Sequence, residues 1–198
     1  MNQVPELGVS MDDCAWNVPG MLLARSRLTP EAIALWRLSP SGEWLGSTWS
    51  EYCQAVAALS RGFRELGLSS GERVGIVAPS CREWDFAQLG ILAAGGVAVG
   101  LDPHGLDEHL REITRRCGLV GMVVGDPSQL ARIGPDERRR LRFAVSLDDS
   151  GAAGTIPFRT FVTSGPVGDG WNQAQADAPA TIVFTSGATG EPKGIEYS

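Results

Sequence analysis

Short apolar runs alternate with helical patterns through the middle of the chain, and this alternation limits the folds it can adopt. Residues 73–78, 97–101 and 119–124 are short, valine-containing runs typical of buried strands. Leu106, Leu110, Ile113 and Cys117 mark one face of a helix between the last two runs. Strands that alternate with helices are joined by right-handed crossovers. The sequence therefore predicts an α/β fold with a mostly parallel sheet and flanking helices.

The region before this sheet predicts a helix and a small β-hairpin. Asn17 can cap a helix that has Val18-Pro19 in its first turn. Residues 32–36 and 43–45 are the predicted strands of a hairpin that turns at 39–42. Thr48 and Glu51 then have the spacing of a capping box for the next helix. For the domain organisation, we expect residues 1–15 to be a loose lead and residues 16–198 to form one domain.

Weaker patterns predict the remaining elements. Ser80 and Glu83 repeat the capping-box spacing before a further helix. A short helix near 128–133 and a strand near 143–147 add one more unit. Between 148 and 178 the composition turns to Gly, Asp, Ser, Ala and Pro, and only 158–162 is predicted to be ordered.

Composition excludes several classes of function. The net charge of −6 argues against sequence-independent binding to nucleic acid, and the arginines at 138–142 are interpreted as a solvated helix face. The four cysteines lack paired spacing, so we expect free thiols, a reducing compartment and a cytoplasmic location. His104 and His109 are interpreted as surface residues, and no metal site is predicted. The longest apolar stretch is too short and too glycine-rich to cross a membrane.

The last stretch, residues 180–194, has the composition of an anion-binding loop. An apolar run leads into a segment of Ser, Thr and Gly that closes on Lys193, the only lysine among 17 basic residues. Glycine lets backbone N–H groups approach a ligand, hydroxyls donate hydrogen bonds, and the ammonium opposes negative charge. The candidate phosphate-binding residues are Thr185, Ser186, Gly187, Thr189, Gly190, Lys193 and Gly194.

Two other interpretations of this stretch explain its residues less well. A flexible tail would explain the composition, but it would not explain the strand-like run at 182–184 or the rigid Pro192 beside the lysine. A Walker-type loop requires Gly-Lys-Ser/Thr, whereas Lys193 follows proline and Gly194 stands in the place of the metal-binding hydroxyl.

Residues 185–194, Thr-Ser-Gly-Ala-Thr-Gly-Glu-Pro-Lys-Gly, resemble the signature phosphate loop of the AMP-forming acyl-activating enzymes. Ala188 departs from that signature, which usually has a hydroxyl residue there. The segments 44–52, 71–74, 83–84 and 96–103 are similar to the entry region of acyl-CoA synthetases, most of all the long-chain fatty acid branch, although Gly100 replaces a common proline. The aromatic residues within them, Trp44, Trp49, Tyr52 and Trp84, are individually interpreted as core or capping residues.

The resemblance implies a fold and a reaction. The chain would be part of the N-terminal domain of an acyl-adenylating enzyme, in which a carboxylate attacks Mg-bound ATP to give an acyl-adenylate that passes to coenzyme A. ATP, magnesium, coenzyme A and a carboxylic acid are thus the implied cofactors and partners. The family's adenine pocket, acid tunnel, magnesium-binding glutamate and second lysine follow this loop, and we expect the chain alone to be inactive. A non-catalytic nucleotide-binding or partner-binding module remains the alternative, with a stand-alone ATPase a weaker one.

Uncovered sheet edges lead to a prediction about the isolated chain. If the strands that flank the loop lack further neighbours, their unpaired backbone groups and apolar faces favour association. We expect marginal stability or self-association in sedimentation velocity and thermal melting. A monomer with one sharp melting transition, and with every strand protected from hydrogen exchange, would contradict this expectation.

Overall fold

The computed structural model describes residues 17–148, 150–162, 167–186 and 192–198. The helices are α1 Val18–Leu28, α2 Trp49–Glu65, α3 Arg82–Ala93, α4 Asp107–Cys117, α5 Pro127–Arg132 and α6 Pro135–Arg140. The strands are β1 Ile33–Leu38, β2 Trp44–Thr48, β3 Arg73–Val77, β4 Val97–Leu101, β5 Gly121–Val124, β6 Phe143–Ser146, β7 Ile156–Pro157, β8 Thr181–Ser186 and β9 Pro192–Tyr197.

Seven of these strands form one sheet in the order β7-β6-β5-β3-β4-β8-β9. All neighbouring pairs are parallel except β8 and β9, which are antiparallel. Strands β1 and β2 form a separate antiparallel hairpin that follows helix α1. The predicted α/β class, with a mostly parallel sheet preceded by a helix and a hairpin, is confirmed.

Both faces of the central strands are buried, as a parallel sheet requires. Val74 and Ile76 of β3 belong to a core cluster that includes residues of α2 and α3. Val77 of β3 and Val99 of β4 belong to a second cluster that includes residues of α4 and α5. Each fully buried aliphatic side chain contributes roughly 1.5–3 kcal/mol. The valine-rich runs are therefore the centre of the domain.

Two of the three predicted helix caps are present. The Asn17 side chain accepts a hydrogen bond from the Gly20 amide at 2.8 Å, which fixes the start of α1. At α2 the Glu51 amide donates to Thr48 Oγ1 at 3.1 Å, and the Thr48 amide donates to Glu51 Oε2 at 2.8 Å. These reciprocal bonds form the predicted capping box and satisfy donors that the first helical turn leaves free.

The third predicted cap, from Ser80 and Glu83, is wrong. Helix α3 begins one residue later, with Cys81 as its N-cap and no capping hydrogen bond from a side chain. The Glu83 carboxylate instead accepts from the neighbouring Arg82 guanidinium at 2.7 Å. With Cys81 at the N-cap, Glu83 is the second helical residue and not the third, so the capping-box spacing is lost.

Residues 167–178, for which the composition predicted little order, make defined contacts with distant parts of the chain. Trp171 is only 3% exposed, and its carbonyl oxygen accepts from the buried Ser60 hydroxyl at 2.5 Å. The backbone amide of Gln173 donates to the carbonyl of Ala93 at 2.7 Å. Contacts with α2 and α3 therefore hold this approach to β8, although it lacks local periodicity.

Trp44 is not a core residue, contrary to expectation. It lies opposite Leu38 in the hairpin, and its side chain is 66% exposed. Tyr52 is buried and stacks with Trp49, as the interpretation of core aromatics requires. The hairpin thus exposes an aromatic side chain to solvent, which the residue pattern of its strands did not indicate.

The capping box leads to a prediction about stability. Thr48→Ala removes the hydroxyl that accepts from Glu51 and is expected to lower the free energy of unfolding by about 1 kcal/mol. Denaturant unfolding followed by circular dichroism measures this change. Glu51→Gln keeps a side-chain acceptor for the Thr48 amide and serves as the control, with a smaller expected loss. Equal losses in the two variants would contradict the assigned role of Thr48.

Candidate functional site

The candidate site lies on the antiparallel pair formed by β8 and β9. In their register Thr185 is directly opposite Lys193. Residues directly opposite in such a pair have Cβ atoms about 4.5–5.5 Å apart and point to the same face. Both side chains are exposed. The structure therefore brings the hydroxyl and the only lysine together on one solvent-facing surface.

Side chains alternate along β8 between the core and this surface. Ile182 and Phe184 pack against the hydrophobic cluster that contains Leu110 and Ile113 of α4. Val183 is 45% exposed and lies opposite Ile195 on the other face. Burial of the apolar residues thus determines which face carries the polar ones.

Gly194 has a packing role that differs from the one predicted. A Cβ atom at this position would lie 2.9 Å from Phe184 Cζ and 3.3 Å from Ile182 Cγ2. The absence of a side chain at Gly194 therefore gives space to the ring of Phe184. Close approach of this backbone to a phosphate stays a prediction.

The remaining predicted residues are only partly placed. Ser186 ends β8 and lies opposite Pro192, the first residue of β9. Gly187, Thr189 and Gly190 lie outside the described residues. Strand β8 runs parallel to β4, with Gly100 opposite Val183, so the end of β8 at Ser186 lies at the carboxyl edge of the parallel sheet. That edge is where open α/β sheets bind ligands.

One positively charged residue near the site was not predicted from the sequence. Arg116, in the last turn of α4, donates from Nη1 to the Pro192 carbonyl oxygen at 3.2 Å. Its Nε also lies 3.9 Å from Glu112 Oε1. The contact joins residues 76 positions apart in the chain, so no local spacing could have indicated it.

Nucleophilic cysteine chemistry is not supported by the described thiols. Burial raises the pKa of the Cys53, Cys81 and Cys117 thiols above the ordinary value. A raised pKa keeps a thiol protonated and poorly nucleophilic. In the described part of the chain, no three His, Cys, Asp or Glu residues are grouped so as to hold a metal ion.

A cavity of about 660 Å³ lies at the other end of β8. Its walls include Met21 and Leu28 of α1, Leu92 of α3, and Ala180 immediately before β8. Six residues of strand extend roughly 20 Å, so this cavity and the Thr185–Lys193 pair are separate features.

Among the helices that the structure describes, none is long and apolar enough to cross a bilayer.

The fold is a mostly parallel α/β sheet with helices on both faces. The chain belongs to the AMP-binding enzyme family, whose model matches residues 23–198. The chain is 27% identical to the long-chain-fatty-acid–CoA ligase heimdall of Drosophila melanogaster over 83% of its length. It is 33% identical over 85% of its length to the phenyloxazoline synthase MbtB of Mycobacterium tuberculosis.

A solved structure agrees with the fold. Acetoacetyl-CoA synthetase from Streptomyces lividans superimposes with a TM-score of 0.82 over 92% of this chain, at 24% identity. All three proteins are much longer than this chain. The matched part is 27% of heimdall, 10% of MbtB and 30% of the acetoacetyl-CoA synthetase.

The packing of Gly194 leads to a second prediction. Gly194→Ala forces the Phe184 ring to move and is expected to lower the free energy of unfolding by about 1–3 kcal/mol. Hydrogen exchange should accelerate in β8 and β9 more than in β3. Gly168→Ala is the matched control, because a Cβ atom at Gly168 would meet nothing within 4 Å. Unchanged exchange in β8 of Gly194→Ala would contradict the packing role.

Proposed function

We propose that the chain is the N-terminal portion of an AMP-dependent ligase that activates a carboxylic acid with ATP to an acyl-adenylate, for transfer to coenzyme A. The observation that carries this proposal is the pairing of Thr185 with Lys193 beside the carboxyl edge of the parallel sheet. A hydroxyl donor and an ammonium on one exposed face suit a phosphate group. Membership of the AMP-binding enzyme family supports the same chemistry.

The phosphates of ATP are assigned to the two strand ends and the stretch between them. Thr185 and Lys193 would contact the outgoing pyrophosphate portion, together with Ser186, Gly187, Thr189, Gly190 and Gly194. Neutralising phosphate charge with prearranged donors is the main way in which proteins assist such transfers. No protein ligand is assigned to magnesium, which would arrive with the triphosphate.

A fatty acid is the proposed substrate, and the cytoplasm is the proposed compartment. The name of heimdall, a long-chain-fatty-acid–CoA ligase, supports the substrate. The name of MbtB, a phenyloxazoline synthase, shows that a similar sequence also occurs in a protein of another kind. Cys53, Cys81 and Cys117 are free thiols, which agrees with a reducing compartment.

The alternative is a non-catalytic module that binds nucleotide or a partner. The exposure of Ile195 and Tyr197 on β9 favours it, because β9 ends the sheet order and can receive another strand.

We expect no acid-dependent exchange of pyrophosphate into ATP by this chain alone. Exchange restored by adding the remaining two-thirds of a related ligase would favour a split enzyme, whereas exchange by the chain alone would contradict the proposed inactivity.

Binding of Mg-ATP tests the phosphate site itself. We expect calorimetry to detect affinity near 1 mM, about −4 kcal/mol, and Lys193→Ala to abolish it because the ammonium is lost. Arg140→Ala is the matched control, since it removes one positive charge from an exposed position on α6. Equal binding by the wild type and Lys193→Ala would contradict the assignment of Lys193.

A further inference from the structure

Helix α4 contacts both flanks of the candidate phosphate loop. Before the loop, Phe184 packs against the cluster that includes Leu110 and Ile113. After the loop, the carbonyl oxygen of Pro192 accepts a hydrogen bond from Arg116. The two strand ends that carry Thr185 and Lys193 are therefore attached to one helix.

The Arg116 contact acts on the peptide group that precedes Lys193. The carbonyl of Pro192 and the nitrogen and Cα of Lys193 belong to one planar unit. A hydrogen bond to that oxygen therefore restrains the position of the Lys193 Cα. Because Lys193 belongs to β9, the last strand in the sheet order, the contact supplies an anchor from outside the β8–β9 ladder.

Arg116 lies at a helix end that is attached to the sheet. Its Nε is 3.9 Å from Glu112 Oε1, but both oxygens of that carboxylate are hydrogen-bonded to Arg115, so Glu112 adds little to the position of Arg116. The end of α4 is fixed by Arg73, whose Nε donates to the Cys117 carbonyl at 2.8 Å. The anchor thus rests on a helix end that is bonded to the start of β3.

We propose that Arg116 is a positioning residue that holds Lys193 in place for the phosphates of a nucleoside triphosphate. The inference rests on the proposed function, because it assumes that Lys193 binds phosphate. It assigns to Arg116 no contact with the nucleotide. The guanidinium acts through the Pro192 carbonyl, so its removal weakens phosphate binding while Lys193 remains present.

The single lysine allows a site-specific measurement. Acetylation of Lys193 by an amine-reactive ester, followed by peptide mass spectrometry, gives a rate with and without Mg-ATP in the 198-residue chain. In the wild type we expect Mg-ATP to slow the acetylation. In Arg116→Ala the nucleotide concentration for half-protection should rise about threefold to tenfold, the range for one hydrogen bond. Arg116→Lys should restore part of this loss.

Arg115→Ala is the matched control. Arg115 is the adjacent arginine and pairs with the same Glu112 at 2.7 Å. We expect its loss to leave the half-protection concentration unchanged. All variants are measured at about 0.05 M and 0.5 M salt, because high salt screens a through-space effect of charge much more than the effect of a hydrogen bond. Arg116→Gln provides a second neutral variant if Arg116→Ala does not fold.

The outcomes separate the inference from the proposed function. Absence of protection in the wild type would overturn the phosphate-binding role of Lys193 and the role of Arg116 with it. Protection in the wild type and equally in Arg116→Ala would overturn only the role of Arg116. Equal losses in the Arg115 and Arg116 variants, or a loss that disappears at high salt, would also overturn it. A loss confined to Arg116 at both salt concentrations, partly restored by lysine, supports it.

Discussion

The parallel pairing of β3 with β4 and β5 is the constraint on which the rest of the structure depends. These strands are buried on both faces, so each face needs its own layer of helices. Helices α2 and α3 supply one layer, and α4 and α5 supply the other. The candidate site depends on the second layer, because β8 joins the sheet beside β4 and packs its apolar side chains toward α4.

Much of this arrangement was predictable because it is encoded locally. The apolar runs, the capping box at Thr48 and the helix start at Asn17 each depend on residues within a few positions. The phosphate-loop resemblance likewise depends on ten consecutive residues. Local patterns therefore predicted the α/β class and the family, and the family is confirmed by the match over residues 23–198.

The contacts that sequence could not predict join distant segments. Trp171 is buried beside α2, where the Ser60 hydroxyl donates a hydrogen bond to the Trp171 carbonyl oxygen. The glycines near Trp171 in the sequence do not indicate this contact. The Arg116 contact with Pro192 links a helix end to the last strand. Ser80 is not the cap, because α3 begins one residue later than the spacing predicts and Cys81 stands at the N-cap. That Thr185 lies opposite Lys193 follows from the register of β8 and β9, and the composition of the loop does not predict that register.

The alternation along β8 also constrains how the chain can diverge. Before β8, the backbone amide of Gln173 is hydrogen-bonded to the carbonyl of Ala93. Near the end of β8, Phe184 packs against the cluster that includes Leu110. Because side chains alternate with a period of two, an insertion of one residue within β8 would turn the residues beyond it to the opposite faces. Thr185 would then face the helices and Phe184 would face water. Insertions and deletions are therefore tolerated less well in β8 than substitutions that preserve the alternation.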